Sequence, residues 1–325
     1  MVYVLIALAL VFDFLNGFHD SSNVVATPIS SGAMHPRAAL YTAAVVHFAA
    51  PFLFGVAVAT TIGEGLLDDR AITIEIVVSG LFSAVVWNLV TWYLGLPSSS
   101  SHALVGGLLG AAIVAEGVGV VQISGLTKIM IALLISPPLG LLVGFLVMKL
   151  TLALARKAPP SVNKVFKRAQ IATLIGLALS HGTNDAQKTM GVITMGLLAA
   201  GMITRFQVPL WVIALSSSAI AAGTALGGWR LIRTLGAKIY RIRPIHGLTS
   251  QIAGATVIMS AALVGGPVST TQVMSSAIMG VGAAERLSKV RWLVLRDLAT
   301  AWLLTIPATA ALSALVLLGT KLLGL

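Results

Sequence analysis

Four charged side chains lie deep inside apolar stretches of this sequence: Asp13, Asp20, Asp185 and Lys188. Ionised groups are costly in such surroundings and by default mark function. On a continuous helix Asp13, Asn16, Asp20 and Asn23, spaced 3, 4 and 3, share one stripe. His181, Asp185 and Lys188, spaced 4 and 3, form another. A purely structural reading would make these interhelical hydrogen bonds and an Asp185–Lys188 pair one turn apart. That explains why the charges are tolerated, but not why both parts of the chain carry them. Carboxylate and amide oxygens suit a hard cation such as Na⁺, and a carboxylate can hold a proton instead. Asp20 and Asp185 are therefore the candidate Na⁺ or H⁺ sites, with Asn23 and Asn184 as supporting ligands. His19, His181 and Asp13 read equally well as packing residues.

A second chemistry is written in hydroxyls. Pro97 precedes Ser98–Ser101 and His102; Pro267 precedes Val268, Ser269, Thr270, Thr271 and Gln272. Proline ends one half-helix, and Ser or Thr suits the N-cap of the next. The first four N–H groups of a helix lack internal partners. With the helix dipole they make an anion site. One such run would read as well as a kink whose hydroxyls bond back to the backbone. Two at matching positions favour the anion site.

The elements that position these groups repeat. Residues 17–23 align with 182–188 at an offset of 165, and 97–102 with 267–272 at an offset of 170. Pro137 and Pro307 share the second offset. The expected organisation is two related halves, 1–155 and 169–325, joined by a basic linker at 156–168 within one domain.

Composition sets the surroundings. Of 325 residues, 57% are apolar and only 10% charged, with a mean hydropathy of +0.98. A soluble domain carries about 25% charged residues, so an ordinary water-soluble globule is excluded. Cysteine is absent, which removes disulfides and thiolate metal sites. Apolar stretches fall at about 2–29, 38–60, 72–95, 98–115, 125–150, 169–200, 208–228, 246–265, 267–283 and 298–320. They are too long and too uniform for strands. The expected fold is an all-α polytopic membrane protein, with broken or re-entrant helices meeting near the bilayer midplane.

The excess of 21 Lys and Arg over 10 Asp and Glu is concentrated in 156–168, 230–243 and 286–296. The second of these includes Lys238 and Arg241, while 64–75 holds Glu64, Asp68, Asp69 and Glu75. Short basic segments flanking spans indicate the cytoplasmic side rather than nucleic-acid binding. Both termini then lie outside, and the two halves have opposite orientation: inverted repeats, the architecture of secondary transporters.

At this point the sequence resembles the inorganic phosphate transporter (PiT) family. The likeness rests on FDFLNGFHDSSNVVAT at 12–27, GLPSSSSHALVGG at 95–107, SHGTNDAQKTMG at 180–191, GGPVSTTQVMSSAIMGVGA at 265–283 and TIPATA at 305–310. It implies a carrier moving phosphate with Na⁺ or H⁺, without a cofactor, as a homodimer in a prokaryotic plasma membrane. Carried over by position, Asp20, Asn23, Asn184 and Asp185 would be the core of the site. Ser99, Ser100, Ser101, Ser269, Thr270, Thr271 and Gln272 would surround the oxyanion, with Asp20 and Asp185 beside it. His19 stands where the family often has Asn, and Gln272 where many relatives have His. His19, His102, Gln187 and Lys188 are left with supporting roles. Lys188 either neutralises Asp185 or touches the substrate.

The expected mechanism is symport by alternating access. A sulfate–H⁺ permease of the same family is the alternative, since hydroxyls and helix N-termini suit either tetrahedral oxyanion. An intramembrane serine hydrolase is disfavoured, because two symmetric hydroxyl runs offer no single privileged nucleophile. A passive channel would differ in failing to accumulate its anion.

Overall fold

A computed structural model describes residues 1–68, 72–96, 98–233 and 242–322. Asp69, Pro97, Lys238 and Arg241 lie outside the described residues. Apart from one isolated bridge between Leu67 and Val121, regular structure there is helical. The first half runs α1 (Val2–Ser30), α2 (Pro36–Phe54), α3 (Ala57–Gly65), α4 (Ile74–Leu94), α5 (Ser100–Glu116) and α6 (Ile123–Leu154). The second runs α7 (Val162–Ala199), α8 (Leu210–Leu226), α9 (Trp229–Arg233), α10 (Pro244–Leu263), α11 (Thr270–Glu285) and α12 (Trp292–Leu322).

Helices α1, α2, α4 and α6, and residues Leu298–Leu322 of α12, are each apolar and long enough to cross a bilayer. Their outer faces carry Leu134, Leu150, Leu303 and Leu315, all exposed, while Asp13, Asn16, Asp20, Asn23 and His47 are buried. That is the inverse of a soluble globule, and it is stable where the surroundings are lipid. Helix α7 has 38 residues, about 57 Å of rise. Its average hydropathy is lowered by His181, Asn184, Asp185, Gln187 and Lys188, which are buried within the bundle.

Two expected boundaries are corrected. The basic linker is not a loop throughout: after Pro159 and Pro160 the chain enters α7 at Val162, so Lys164, Lys167 and Arg168 ride on its first turns. Charge density marks contact with water, not the absence of a helix. The stretch 38–60 is not one span. It breaks at Gly55, whose φ of 76° is left-handed, and restarts as α3. The stretches at 98–115 and 267–283 fit the expected broken or re-entrant helices: α5 has 17 residues and α11 has 16, about 24–26 Å of rise against a core of about 30 Å.

Each of these half-helices follows a left-handed glycine, Gly95 (φ 69°) before α5 and Gly265 (φ 71°) before α11. The matching positions extend the offset of 170 to the backbone itself. The half-helices pack across the halves: α5 lies mainly on α12 and α4, and α11 mainly on α6 and α10. Contact is close enough that a Cβ on Gly110 would overlap the Ala310 backbone, and one on Gly280 the Leu141 carbonyl.

The apolar core has two main parts. One gathers Phe12, Leu81, Leu104 and Met190; the other Val24, Leu177, Val273 and Met274. Along α1 the chain passes from the first part to the second, and along α7 from the second to the first. In both helices the polar motif lies in between.

Candidate anion and cation site

The two polar patterns converge on the start of α11. Ser269 is its N-cap and accepts from the Gln272 N–H at 3.4 Å. Ser99 caps α5 in the same way, accepting from the His102 N–H at 3.2 Å, with His102 Nδ1 2.6 Å from its oxygen. The two caps thus use an acceptor lone pair of each serine to hold a helix open-ended. The first-turn N–H groups of Ser100, Ser101, Thr270 and Thr271 have no carbonyl one turn back within their helices.

The next hydroxyls meet the carboxylates. Thr270 Oγ1 donates to Asp185 Oδ2 at 3.0 Å and lies 3.4 Å from Asp20 Oδ2. Thr271 Oγ1 donates to Asp20 Oδ1 at 3.0 Å and accepts from Asn23 Nδ2 at 3.0 Å. On the α5 side Ser100 Oγ donates to Asn16 Oδ1 at 2.8 Å, and Ser101 Oγ to the Val268 carbonyl at 3.0 Å. So α1 serves both half-helices, through Asn16 and Asp20 one turn apart.

Asp20, His181 and Asp185 each offer a ligand atom within 4.8 Å of the others, and all three are buried. His19 Nδ1 lies 2.9 Å from Asp20 Oδ1, and His181 Nε2 3.1 Å from Asp185 Oδ2. Lys188 Nζ pairs with Asp185 Oδ1 and donates to the Val268 carbonyl at 2.9 Å. Asn184 Nδ2 donates to the Gly266 carbonyl at 3.1 Å. The Asn23 and Asn184 amide oxygens are buried with no hydrogen-bond partner among the described residues. An unpartnered amide oxygen on each of the two helices that carry the carboxylates suits a cation.

Gln187 belongs elsewhere. Its Oε1 accepts from Val58 N–H at 2.8 Å and Ala59 N–H at 3.3 Å, and its Nε2 donates to the Gly55 carbonyl at 2.6 Å. It closes the break between α2 and α3. Ser21, on α1, does the corresponding job at the α8–α9 break, accepting from the Gly228 N–H at 3.0 Å. Each long helix therefore stitches a broken helix of the opposite half. Asp13 is buried on the α1 stripe, facing Thr189 of α7. Gln272 is buried on the first turn of α11. One residue was missed by sequence reasoning: His47 of α2 stacks on His181, ring centres 4.8 Å apart, and holds Thr224 Oγ1 at 2.8 Å. A lone histidine in an apolar span was its signal.

A helical bundle apolar outside, with paired broken helices meeting a buried knot of charge, has the build of a membrane transporter. The chain belongs to the phosphate transporter family, whose sequence profile matches residues 16–313. A "Probable low-affinity inorganic phosphate transporter" of Rhizobium meliloti is 42% identical over 96% of this chain and 94% of its own length. One of the same description from Bacillus subtilis is 40% identical over 97% of this chain and 96% of its own. A solved structure, "The sodium-dependent phosphate transporter", superposes with a TM-score of 0.88 at 26% identity, covering 99% of both chains.

Proposed function

We propose that this chain takes up inorganic phosphate by symport with a cation, Na⁺ or H⁺, through alternating access. The observation that carries the reading is the double position of Thr270 and Thr271. They open a half-helix suited to an oxyanion, and their hydroxyls donate to Asp185 and Asp20. A hydroxyl has one proton to give. While no cation is bound the carboxylates hold those protons, and the charge left uncompensated beside the Lys188–Asp185 pair repels an anion. A cation held between Asp20 and Asp185, and supported by the Asn23 and Asn184 oxygens, cancels that remaining charge and frees the hydroxyls. Phosphate then binds where α5 and α11 begin, among Ser99, Ser100, Ser101, Ser269, Thr270, Thr271 and Gln272. An anion that cannot bind before its cation is a coupled substrate.

The two halves act as inverted repeats that expose the loaded site to each side in turn. The opposite passage of α1 and α7 between the two core parts supports the inversion. The basic segments face the cytoplasm and both termini the other side. Na⁺ is favoured by the sodium-dependent structural neighbour. Relatives named as transporters support a carrier rather than an enzyme. The test is uptake of labelled phosphate into proteoliposomes under a Na⁺ gradient, a H⁺ gradient, or neither. Accumulation above equilibrium under one gradient supports symport. Equal entry under all three conditions rules it out, and competition by unlabelled sulfate reveals whether phosphate is the preferred anion.

A further inference from the structure

We infer that Lys188 is a tethered counter-cation. Its ammonium permanently fills the place at Asp185 that a mobile coupling ion would otherwise take, so each cycle carries one cation fewer than the two carboxylates would demand. The inference rests on the symport reading above.

The position of Nζ carries it. Lys188 is 1% exposed, and its ammonium pairs with Asp185 Oδ1 and donates to the Val268 carbonyl at 2.9 Å. Val268 is the residue before the Ser269 cap, in the unwound link between α10 and α11. A carboxylate oxygen with an unwound backbone carbonyl is the ligand pairing that holds a coupling ion in broken-helix carriers. Here both oxygens are already served by an ammonium, which brings a full positive charge and three donors. Ser101 Oγ donates to the same carbonyl at 3.0 Å, so that carbonyl gathers the ammonium of α7 and the start of α5 at the entrance to α11.

The other half shows what is missing without it. Asp20 and Asn23 stand 165 positions before Asp185 and Lys188. Where the second half has an ammonium, the first has a neutral amide whose nitrogen goes to Thr271 and whose oxygen is orphaned. One carboxylate keeps an open oxygen beside it for an ion; the other has its cation built in. At this pair the repeat has become unequal in charge.

Equilibrium binding of radioactive Na⁺ to purified protein counts ions directly and needs no phosphate. K188Q is expected to bind one more Na⁺ per chain than the unmodified protein, and D185N/K188Q to return to the original number. In proteoliposomes, phosphate uptake by K188Q is expected to fall about a hundredfold in low Na⁺, because a buried carboxylate has lost its partner. Saturating Na⁺ should restore it. Equal Na⁺ counts in K188Q and the unmodified protein overturn the proposal. So does a raised phosphate KM that Na⁺ does not correct, which would make Lys188 a substrate ligand. Failure of K188Q to fold in Na⁺ while D185N/K188Q folds also overturns it, since the ion has then not replaced the ammonium. If the unmodified protein shows no gradient-driven uptake, the symport reading fails by itself, and the ion count still decides for or against the tethered charge.

Discussion

Replacing Asp20 by Asn removes one charge with almost no change of shape. Asp20 Oδ1 accepts from Thr271 Oγ1 at 3.0 Å. A phosphate oxygen accepting from that same hydroxyl would stand about 5–6 Å from the carboxylate oxygen. At an effective dielectric constant of about 20, two unit charges at that distance repel by about 3 kcal/mol. That corresponds to about a hundredfold in affinity. Phosphate binding to the unmodified protein should therefore be about a hundredfold weaker without cation than with it. In D20N this ratio should collapse towards one, while cation-driven accumulation disappears. Binding of labelled phosphate in detergent, with and without cation, gives the ratio; proteoliposome uptake gives the accumulation. Phosphate accumulation by D20N at the normal level would refute the charge-cancellation reasoning. An unchanged hundredfold cation effect on binding would refute it too.

Three further outcomes are expected. Thr270→Val removes a hydroxyl that bonds a charged acceptor, worth about 1.5–3 kcal/mol; half-saturation for phosphate at saturating cation should rise about 10–100-fold, with Thr270→Ser close to normal. Gln187→Ala leaves the Gly55 carbonyl and the Val58 and Ala59 N–H groups without their side-chain partner. Each buried orphan costs about 1–3 kcal/mol, so thermal unfolding in detergent should shift clearly downward, with Gln187→Glu intermediate because it keeps the acceptor. Gly280→Val drives a side chain into the Leu141 backbone and should cost about 1–3 kcal/mol or more. Gly176→Ala, with open space around it, is the control expected to leave the unfolding midpoint unchanged.

The half-helices were legible because their signals are local. A proline, a hydroxyl run and a fresh apolar stretch appear twice at one offset, and Ser99 and Ser269 are caps in the structure. The carboxylates were legible because charge inside an apolar stretch stands out. What could not be read depends on partners distant in sequence. Gly55 is one glycine among 32; the backbone groups freed at its break are satisfied by Gln187, over 120 positions away. Gln187 itself looked like a site residue because it adjoins one. His47 becomes informative only once α2 lies beside α7 and its ring meets His181. The start of α7 was missed because Lys and Arg are as content on a hydrated helix as in a loop. The hydroxyls of Thr270 and Thr271 were expected near an anion; that they reach the carboxylates follows from α1 and α11 touching, which no spacing encodes.

The crossing of α5 onto α12, and of α11 onto α6, has a consequence for how the protein is made. Helix α5 ends at Glu116, and its principal partner begins at Trp292. At about 5–20 residues per second, the ribosome needs about 10–40 s to supply that partner. Throughout that time α5, too short to span and carrying Ser100 and Ser101 at its tip, has no α12 to rest on. Unsatisfied backbone is expensive in lipid. The tip of α5 therefore gains its main partner only when α12 has been made, long after its own half is complete.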